Sequence, residues 1–197
     1  MKELQGNKPV MLVVDHLQTW WCYLKDTFAT KMQKTVCFVD PQHVFNWWHA
    51  GMGNVEHQVV LENSIRRQCR KAQLALLPCF EFHPDHWTLL AVDVQMKTCR
   101  FYDSLAEQHE LCSLLADSLV AMLKREFKWL PEILPERRNR CRQQGVDCGF
   151  YVAWWLEDEI RAASGEGFFV NKYPAAKDVR TKMCSLFNSL EGCQHQD

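Results

Sequence analysis

The chain is organised around one stretch, Asp-Cys-Gly-Phe-Tyr-Val-Ala-Trp-Trp-Leu at positions 147–156. From Phe150 onward its residues are apolar on nearly every side of the helix that they would form. A helix that is apolar all round lies inside a protein and not on its surface. We therefore expect a buried helix over residues 149–163.

A cysteine, Cys148, stands at the start of this helix. Helix N-termini carry partial positive charge, which stabilises a thiolate over a thiol. Asp147 is a candidate cap, and the glycines at 145 and 149 remove side chains on either side of the cysteine, so that a substrate backbone can approach. A buried structural cysteine before a helix has the same local sequence. Cys148 is nevertheless a candidate nucleophile.

The 197 residues predict one α+β domain with a single main sheet, because helices come first, strands next and helices last. Apolar spacing and turn residues define the elements. The first is a helix capped by Asp15, with Leu17, Trp20, Trp21, Leu24 and Phe28 on one stripe. A strand at 36–39 and a helix at 42–48, ended by the glycines at 51 and 53, come next, followed by a strand at 74–82 that Pro78 would place at an edge and a hairpin of residues 88–94 and 99–102. The last three are a helix carrying Leu111, Leu114, Leu115, Leu119, Met122, Leu123 and Phe127, a loop at 131–145 and a helix at 175–190.

The hairpin supplies partners for the thiol. His86 begins its first strand and Asp103 ends its second, seventeen positions later. Antiparallel pairing folds Asp103 back toward His86. The carboxylate can then accept the Nδ1 proton of the imidazole and leave Nε2 to take the thiol proton. These residues predict a cysteine hydrolase in which Cys148 attacks, His86 is the base and Asp103 orients the ring.

Composition excludes several other classes. The formal net charge is −1, and the basic stretches are short and lack interleaved aromatic residues, so nucleic-acid binding is not expected. Residues 1–8 are polar and no early apolar run is long enough for a signal peptide or membrane span. Ten cysteines without a Cys-x-x-Cys pair predict free thiols in the cytoplasm or nucleus, without a metal site or cofactor.

At these residues the chain resembles the Ulp/sentrin-specific family of SUMO proteases. The resemblance extends over about residues 10–190 and includes the order and spacing of the histidine, the aspartate and the cysteine. It is carried by His86-Trp87-Thr88-Leu89, Tyr102-Asp103-Ser104-Leu105, Asp147-Cys148-Gly149, the first-helix residues from Asp15 to Leu24, and Cys37-Phe38-Val39-Asp40-Pro41.

The resemblance implies a papain-like fold with a central mixed sheet and the nucleophile at the N-terminus of a buried helix. It implies cleavage after the C-terminal Gly-Gly of a ubiquitin-like modifier, SUMO-like by family, by a monomer that needs no metal or cofactor. Trp87 would cover the channel for the diglycine, a slot that admits only glycine, although core packing explains the same residue. Asp15 and Gly149 are the other expected substrate-binding residues.

Two positions depart from the family pattern. Leu12 stands where the family has a second channel tryptophan, and Arg142 where it has the oxyanion glutamine. Gln143 and Gln144 follow directly. A loop shorter by one residue could deliver Gln143 to the same point, because Gly145 tolerates unusual dihedral angles. We expect Gln143 to stabilise the oxyanion.

Three rival functions use the same residues. A silent module would bind a modifier without cutting it, an acetyltransferase would depend on acetyl-CoA, and a polyprotein-type protease would cut extended peptides but no folded modifier. The complete set of Cys148, His86 and Asp103 argues against the silent module.

Replacement of the oxyanion donor is the first test. Gln143→Ala should lower kcat by roughly 10² to 10³ with a modest change in KM, because one donor to the developing negative charge is lost. Steady-state kinetics on a modifier substrate measure the effect. Gln144→Ala and Arg142→Ala are the controls and should cost much less. A large kcat loss in Arg142→Ala with a near-normal Gln143→Ala would show that the arginine holds the oxyanion.

Overall fold

The structure is a computed structural model that describes residues 14–50, 55–82, 85–105, 110–130, 147–167, 178 and 180–185. The order of helices, strands and helices confirms the expected α+β class. Its elements are α1 (Val14–Phe28), β1 (Val36–Phe38), α2 (Pro41–Ala50), α3 (Val55–Arg70), β2 (Leu74–Glu81), β3 (His86–Asp93), β4 (Thr98–Tyr102), α4 (Glu110–Leu123) and α5 (Cys148–Ala163).

The four strands form one mixed sheet in the order β1-β2-β3-β4. β1 is parallel to β2, and the other two pairs are antiparallel. The predicted hairpin is confirmed as β3 and β4, with Leu89 paired to Tyr102. Since β4 runs back along β3, the residue after Tyr102 returns to the end of the sheet where β3 begins. The hairpin thus brings Asp103 to the level of His86.

Pro78 lies inside β2, which is an interior strand and not the edge strand that the proline suggested. The pairing of β1 with β2 ends at Leu76, however, so in the described residues the second half of β2 has a strand neighbour only on its β3 side. A proline is tolerated where a strand has no second ladder to supply with an N–H.

Both faces of the sheet are covered. Successive residues of β3 belong to opposite hydrophobic clusters, Leu89 and Ala91 on one face and Leu90 and Val92 on the other. The first cluster includes apolar residues of α1 and α5, and the second includes those of α2, α3 and α4. All eight positions of β3 are buried, as expected for a strand covered on both faces. α5 therefore lies in the interior, as its sequence predicted.

The first helix differs from its prediction at its start. The buried stripe is confirmed for Leu17, Trp20, Leu24 and Phe28, whereas Trp21 is only partly buried. Asp15 lies within the first described turn of α1 and is exposed, so it is not the cap that the sequence suggested. An acidic residue in the first turn still interacts favourably with the helix dipole.

Helix α3 was not predicted. Its sequence is strongly polar, and its buried side chains are only Leu61, Ile65 and Cys69. These residues are four apart and form one narrow stripe, which is too sparse a signal to separate a helix from a polar loop. Packing against α2 and the sheet stabilises α3, although its own sequence pattern is too weak to predict it.

The predicted helix at 111–127 is confirmed as α4, although it ends at Leu123 and Leu114 is 46% exposed. Residues 178 and 180–185, within the predicted last helix, are helical. The glycines at 51 and 53 and the loop at 131–145 lie outside the described residues. Among the described residues no helix is both long and apolar enough to cross a membrane.

A buried ion pair joins β4 to α5. The Nε and Nη2 atoms of Arg100 lie 2.7 and 2.6 Å from the two carboxylate oxygens of Glu159, and the hydroxyl of Tyr102 donates to the same carboxylate. The Glu159 side chain is 1% exposed. A bidentate pair with this geometry fixes the position of α5 against the strand that ends next to Asp103.

Removing one member of the buried Arg100–Glu159 pair should destabilise the fold. We expect Glu159→Met to lower the free energy of unfolding by about 3–5 kcal/mol, because it leaves a buried guanidinium without its carboxylate. Urea denaturation at neutral pH measures the change. The double variant Arg100→Met, Glu159→Met is the control and should recover most of the loss. Equal loss in the single and double variants would mean that packing, and not charge, is responsible.

Candidate active site

Cys148 is the first residue of α5 and is 0% exposed. The helix begins with the backbone N–H groups of Phe150 and Tyr151, which donate to the carbonyl of Asp147 at 3.0 and 3.2 Å. The N–H groups of Cys148 and Gly149 come before these bonds, so the helix itself supplies them with no acceptor. The sulfur therefore sits at the positive end of a buried helix, where negative charge is stabilised.

His86 and Asp103 form a buried hydrogen-bonded pair. Nε2 of His86 lies 2.7 Å from Oδ1 of Asp103, and the two side chains are 1% and 0% exposed. The same oxygen accepts a hydrogen bond from the backbone N–H of Leu105 at 2.9 Å, which fixes the carboxylate. Within the described residues the second oxygen, Oδ2, is buried without a partner. The charge of Asp103 is thus directed at the imidazole.

The imidazole is turned opposite to the prediction. The sequence analysis assigned Nδ1 to Asp103 and Nε2 to the thiol, but Nε2 is the atom that faces the carboxylate. Nε2 is the ring nitrogen farther from the backbone, and it has to span the distance from β3 to the end of the neighbouring strand. Nδ1 is left for the hydrogen bond that His86 makes with Cys148.

The surroundings of His86 favour its charged form. Burial disfavours the imidazolium, but the hydrogen bonds with Asp103 and Cys148 and the negative charge on both partners outweigh it and raise the pKa of His86 to about 9. At neutral pH the ring is therefore held as a cation next to the sulfur. A cation in this place stabilises a thiolate, which is the nucleophilic form of cysteine.

The remaining predicted residues differ in their surroundings. Trp87 is 2% exposed, belongs to the core cluster of α1 and α5, and lies 4.9 Å from the ring of Phe80. Gly149 is buried beside Cys148, whereas Asp15 is exposed at the start of α1. Gln143, Gln144, Arg142 and Leu12 lie outside the described residues. Among the described residues no group of three or more His, Cys, Asp or Glu side chains is placed to hold a metal ion.

Asp147 does not cap α5 as the sequence suggested. It occupies the N-cap position, but its side chain makes no capping hydrogen bond. Its carboxylate instead pairs with Arg180, whose guanidinium lies 4.9 Å from the centre of the Phe150 ring. Arg180 could not be predicted from the sequence, because a partner thirty-three positions away leaves no local pattern.

These features define a class of protein. A thiol at the start of a buried helix, hydrogen-bonded to an imidazole that a carboxylate orients, is the arrangement of a thiol peptidase. Residues 16–183 match the model of the Ulp1 protease family, C-terminal catalytic domain. The chain therefore belongs to the Ulp1 protease family and is a cysteine peptidase.

Solved structures agree with this assignment. The SUMO protease Ulp1 with its catalytic cysteine oxidised to a sulfinic acid is 17% identical, with a TM-score of 0.63 over 92% of this chain and 77% of that chain. The Ulp1 domain in complex with Smt3, the yeast ortholog of SUMO, is 19% identical, with a TM-score of 0.62 over 92% and 77%.

A bacterial protein has the same fold. The Xanthomonas campestris effector protein XopD bound to ubiquitin is 18% identical, with a TM-score of 0.61 over 91% of this chain and 93% of that chain. Among curated protein sequences, none matches at a significant level. At these identities the structural likeness establishes the fold.

Replacement of Asp103 tests the assigned roles. Asp103→Asn should keep the fold and lower kcat by about 10⁴, as the corresponding change does in a serine triad, because the ring loses the group that orients it. Asp93→Asn is a matched control, since Asp93 is also buried but pairs with Lys34 at the far end of β3. The control should leave the rate nearly unchanged.

The same variant has a second readout, in stability against pH. His86 has a pKa of about 9 in the folded chain and 6.5 as its ordinary value. Its contribution to stability is complete below pH 6.5 and is lost as the pH rises through 9. The whole shift corresponds to about 3 kcal/mol, and Cys148 supplies part of it, so the stability difference between wild type and Asp103→Asn should shrink by at most about 3 kcal/mol over this range. A pH-independent difference would show that Asp103 does not hold the imidazolium.

Proposed function

We propose that the chain cleaves the bond after the C-terminal Gly-Gly of a ubiquitin-like modifier, most closely a SUMO-like one, as a peptidase or isopeptidase. The observation that carries the proposal is that His86, buried and hydrogen-bonded to Asp103, also makes a hydrogen bond with Cys148 at the start of α5. Family membership supports it. Two structural relatives are described as bound to the yeast ortholog of SUMO and to ubiquitin.

The reaction follows from the geometry. The thiolate of Cys148 attacks the carbonyl carbon of the terminal glycine, and the oxygen becomes negative near the N–H groups at the start of α5. Gln143 is the proposed second donor. The imidazolium of His86 gives its proton to the leaving amine, which departs as the thioester forms. His86 then takes a proton from water, which attacks the thioester and releases the modifier with a free carboxylate.

The burial of the nucleophile supports selection for glycine. Cys148 has no exposed surface, and neighbouring Trp87 is 2% exposed. A carbonyl can reach such a sulfur only through a narrow opening, and an extended diglycine is the narrowest acyl group that a polypeptide offers. Trp87 and Gly149 are the proposed walls of this passage, with Asp15 on the rim. Exclusion of side chains would then contribute as much to specificity as attraction does.

The decisive experiment uses modifiers that carry an electrophile at the C-terminal glycine. A panel with SUMO, ubiquitin and other ubiquitin-like proteins should yield a covalent adduct at Cys148 with at least one member, detected as a mass increase and mapped by peptide sequencing. Cys148→Ser should abolish both the adduct and turnover, because a neutral hydroxyl replaces the thiolate.

Cys22→Ser is the matched control, since Cys22 is exposed whereas Cys148 is buried. If exposure alone determined which thiol reacts, the adduct would form at Cys22. If the reactivity of the thiol determines it, the adduct forms at Cys148. An adduct that persists in Cys148→Ser would overturn the assignment of the nucleophile. Adducts without turnover would indicate a binding module, and turnover that requires acetyl-CoA would indicate acyl transfer.

A further inference from the structure

The carboxylate of Asp147 is in an unusual place for an aspartate at an N-cap. Such a side chain ordinarily accepts a hydrogen bond from the backbone N–H two or three positions later. Asp147 has φ −87° and ψ 0° and makes no such bond. Its Oδ1 pairs instead with Nη2 of Arg180, with the two side chains 17% and 26% exposed. The first turn of α5 is therefore left without its usual anionic cap.

Arg180 contacts the first turn of α5 on both sides of the nucleophile. Its guanidinium pairs with Asp147, which precedes Cys148, and it lies 4.9 Å from the centre of the Phe150 ring, two residues after the cysteine. A planar guanidinium suits both contacts, since it forms directed hydrogen bonds to carboxylates and stacks on aromatic faces. One side chain from outside the helix thus fixes the turn that carries the sulfur.

If the Asp147 carboxylate capped α5 instead of pairing with Arg180, the reaction would be slower. A capping Asp147 would accept a hydrogen bond from the N–H of Gly149, which is one of the two donors at the start of α5 that could serve an oxyanion. It would also place a negative charge beside the thiolate, and like charges at short distance disfavour each other. The ion pair with Arg180 removes both effects at once.

We propose that Arg180 is a positioning residue for catalysis, acting through Asp147. It holds and neutralises the Asp147 carboxylate, so that the N–H groups at the start of α5 remain free and the field at Cys148 remains positive. The proposal rests on the proposed function in one respect, that Cys148 is the nucleophile. It does not depend on which modifier is cleaved.

The chain offers a matched control on the same helical segment. Nζ of Lys182 lies 2.6 and 2.7 Å from the carboxylate oxygens of Glu157 and 5.7 Å from the centre of the Trp20 ring. Lys182 therefore joins the segment to α5 by an ion pair and to α1 by a cation–π contact. Glu157 lies about two and a half turns after Cys148 on α5, so Lys182→Met removes a comparable anchor without touching the nucleophile.

Four variants test the proposal: Arg180→Met, Asp147→Ala, the double variant, and Lys182→Met. The first readout is the rate of Cys148 alkylation by iodoacetamide at pH 7, followed by mass spectrometry, which needs no modifier. The second is kcat and KM on the modifier substrate identified by the labelling panel. Thermal melts and circular dichroism establish that each variant is folded.

Arg180→Met should lower both the alkylation rate and kcat by about tenfold or more, with KM within about twofold, because a negative charge is released beside the sulfur. Asp147→Ala should stay within about threefold of wild type, since it has neither a charge to misplace nor a side chain that can cap α5. The double variant should recover to the level of Asp147→Ala. Lys182→Met should keep wild-type values in both readouts, even if its melting temperature falls.

Two results would overturn the proposal. One is an equal loss in Arg180→Met and Lys182→Met, and the other is a double variant as slow as Arg180→Met; either would make Arg180 a structural anchor only. If Arg180→Met does not fold, Asp147→Ala and Arg180→Lys decide. Asp147→Ala must retain its reactivity, and Arg180→Lys, which keeps the charge, must retain at least about a third of the alkylation rate. If no modifier forms an adduct or is cleaved, but the four variants show the expected alkylation rates, the proposed substrate is wrong and the proposed role of Arg180 is supported.

Discussion

The packing of α5 between the sheet and α1 is the constraint on which the rest of the structure depends. Nε1 of Trp20 on α1 donates to the carbonyl of Ala153 at 3.0 Å, and the rings of Tyr102 and Trp155 stack at 5.3 Å. The buried pair of Arg100 and Glu159 adds a directed contact to the same interface. Because these contacts come from different elements, the start of α5 has one position relative to the end of the β3–β4 hairpin.

Burial determines the chemistry of the site as well as its geometry. An imidazole, a carboxylate and a thiol lie together with at most 1% exposure, so each charge has to be balanced inside the protein. Burial disfavours the charged imidazole, but the hydrogen bonds and charges of Asp103 and Cys148 together outweigh this effect and raise the pKa of His86 to about 9. A buried carboxylate that was not paired would have been neutralised instead. The fold therefore stabilises the buried pair of His86 and Asp103 beside Cys148.

The chain shares its fold with structural relatives that have little sequence in common with it. Identities of 17–19% are compatible with TM-scores above 0.6, because core positions accept many apolar side chains while the backbone path is retained. Leu12 and Arg142, the two departures from the family pattern, lie outside the described residues.

The sequence by itself determined the elements whose apolar pattern is dense, namely α5, α4, β2 and the β3–β4 hairpin. It also determined that His86 and Asp103 meet, since antiparallel pairing depends only on the turn between two strands. Tertiary structure alone decided the existence of α3, the ring orientation of His86 and the partner of Asp147. α3 depends on packing rather than on periodicity, and the other two depend on groups from elements distant in sequence. Local patterns record which side chains share a helix or a strand, but the direction in which a polar atom points is decided by the charge it meets in the folded chain.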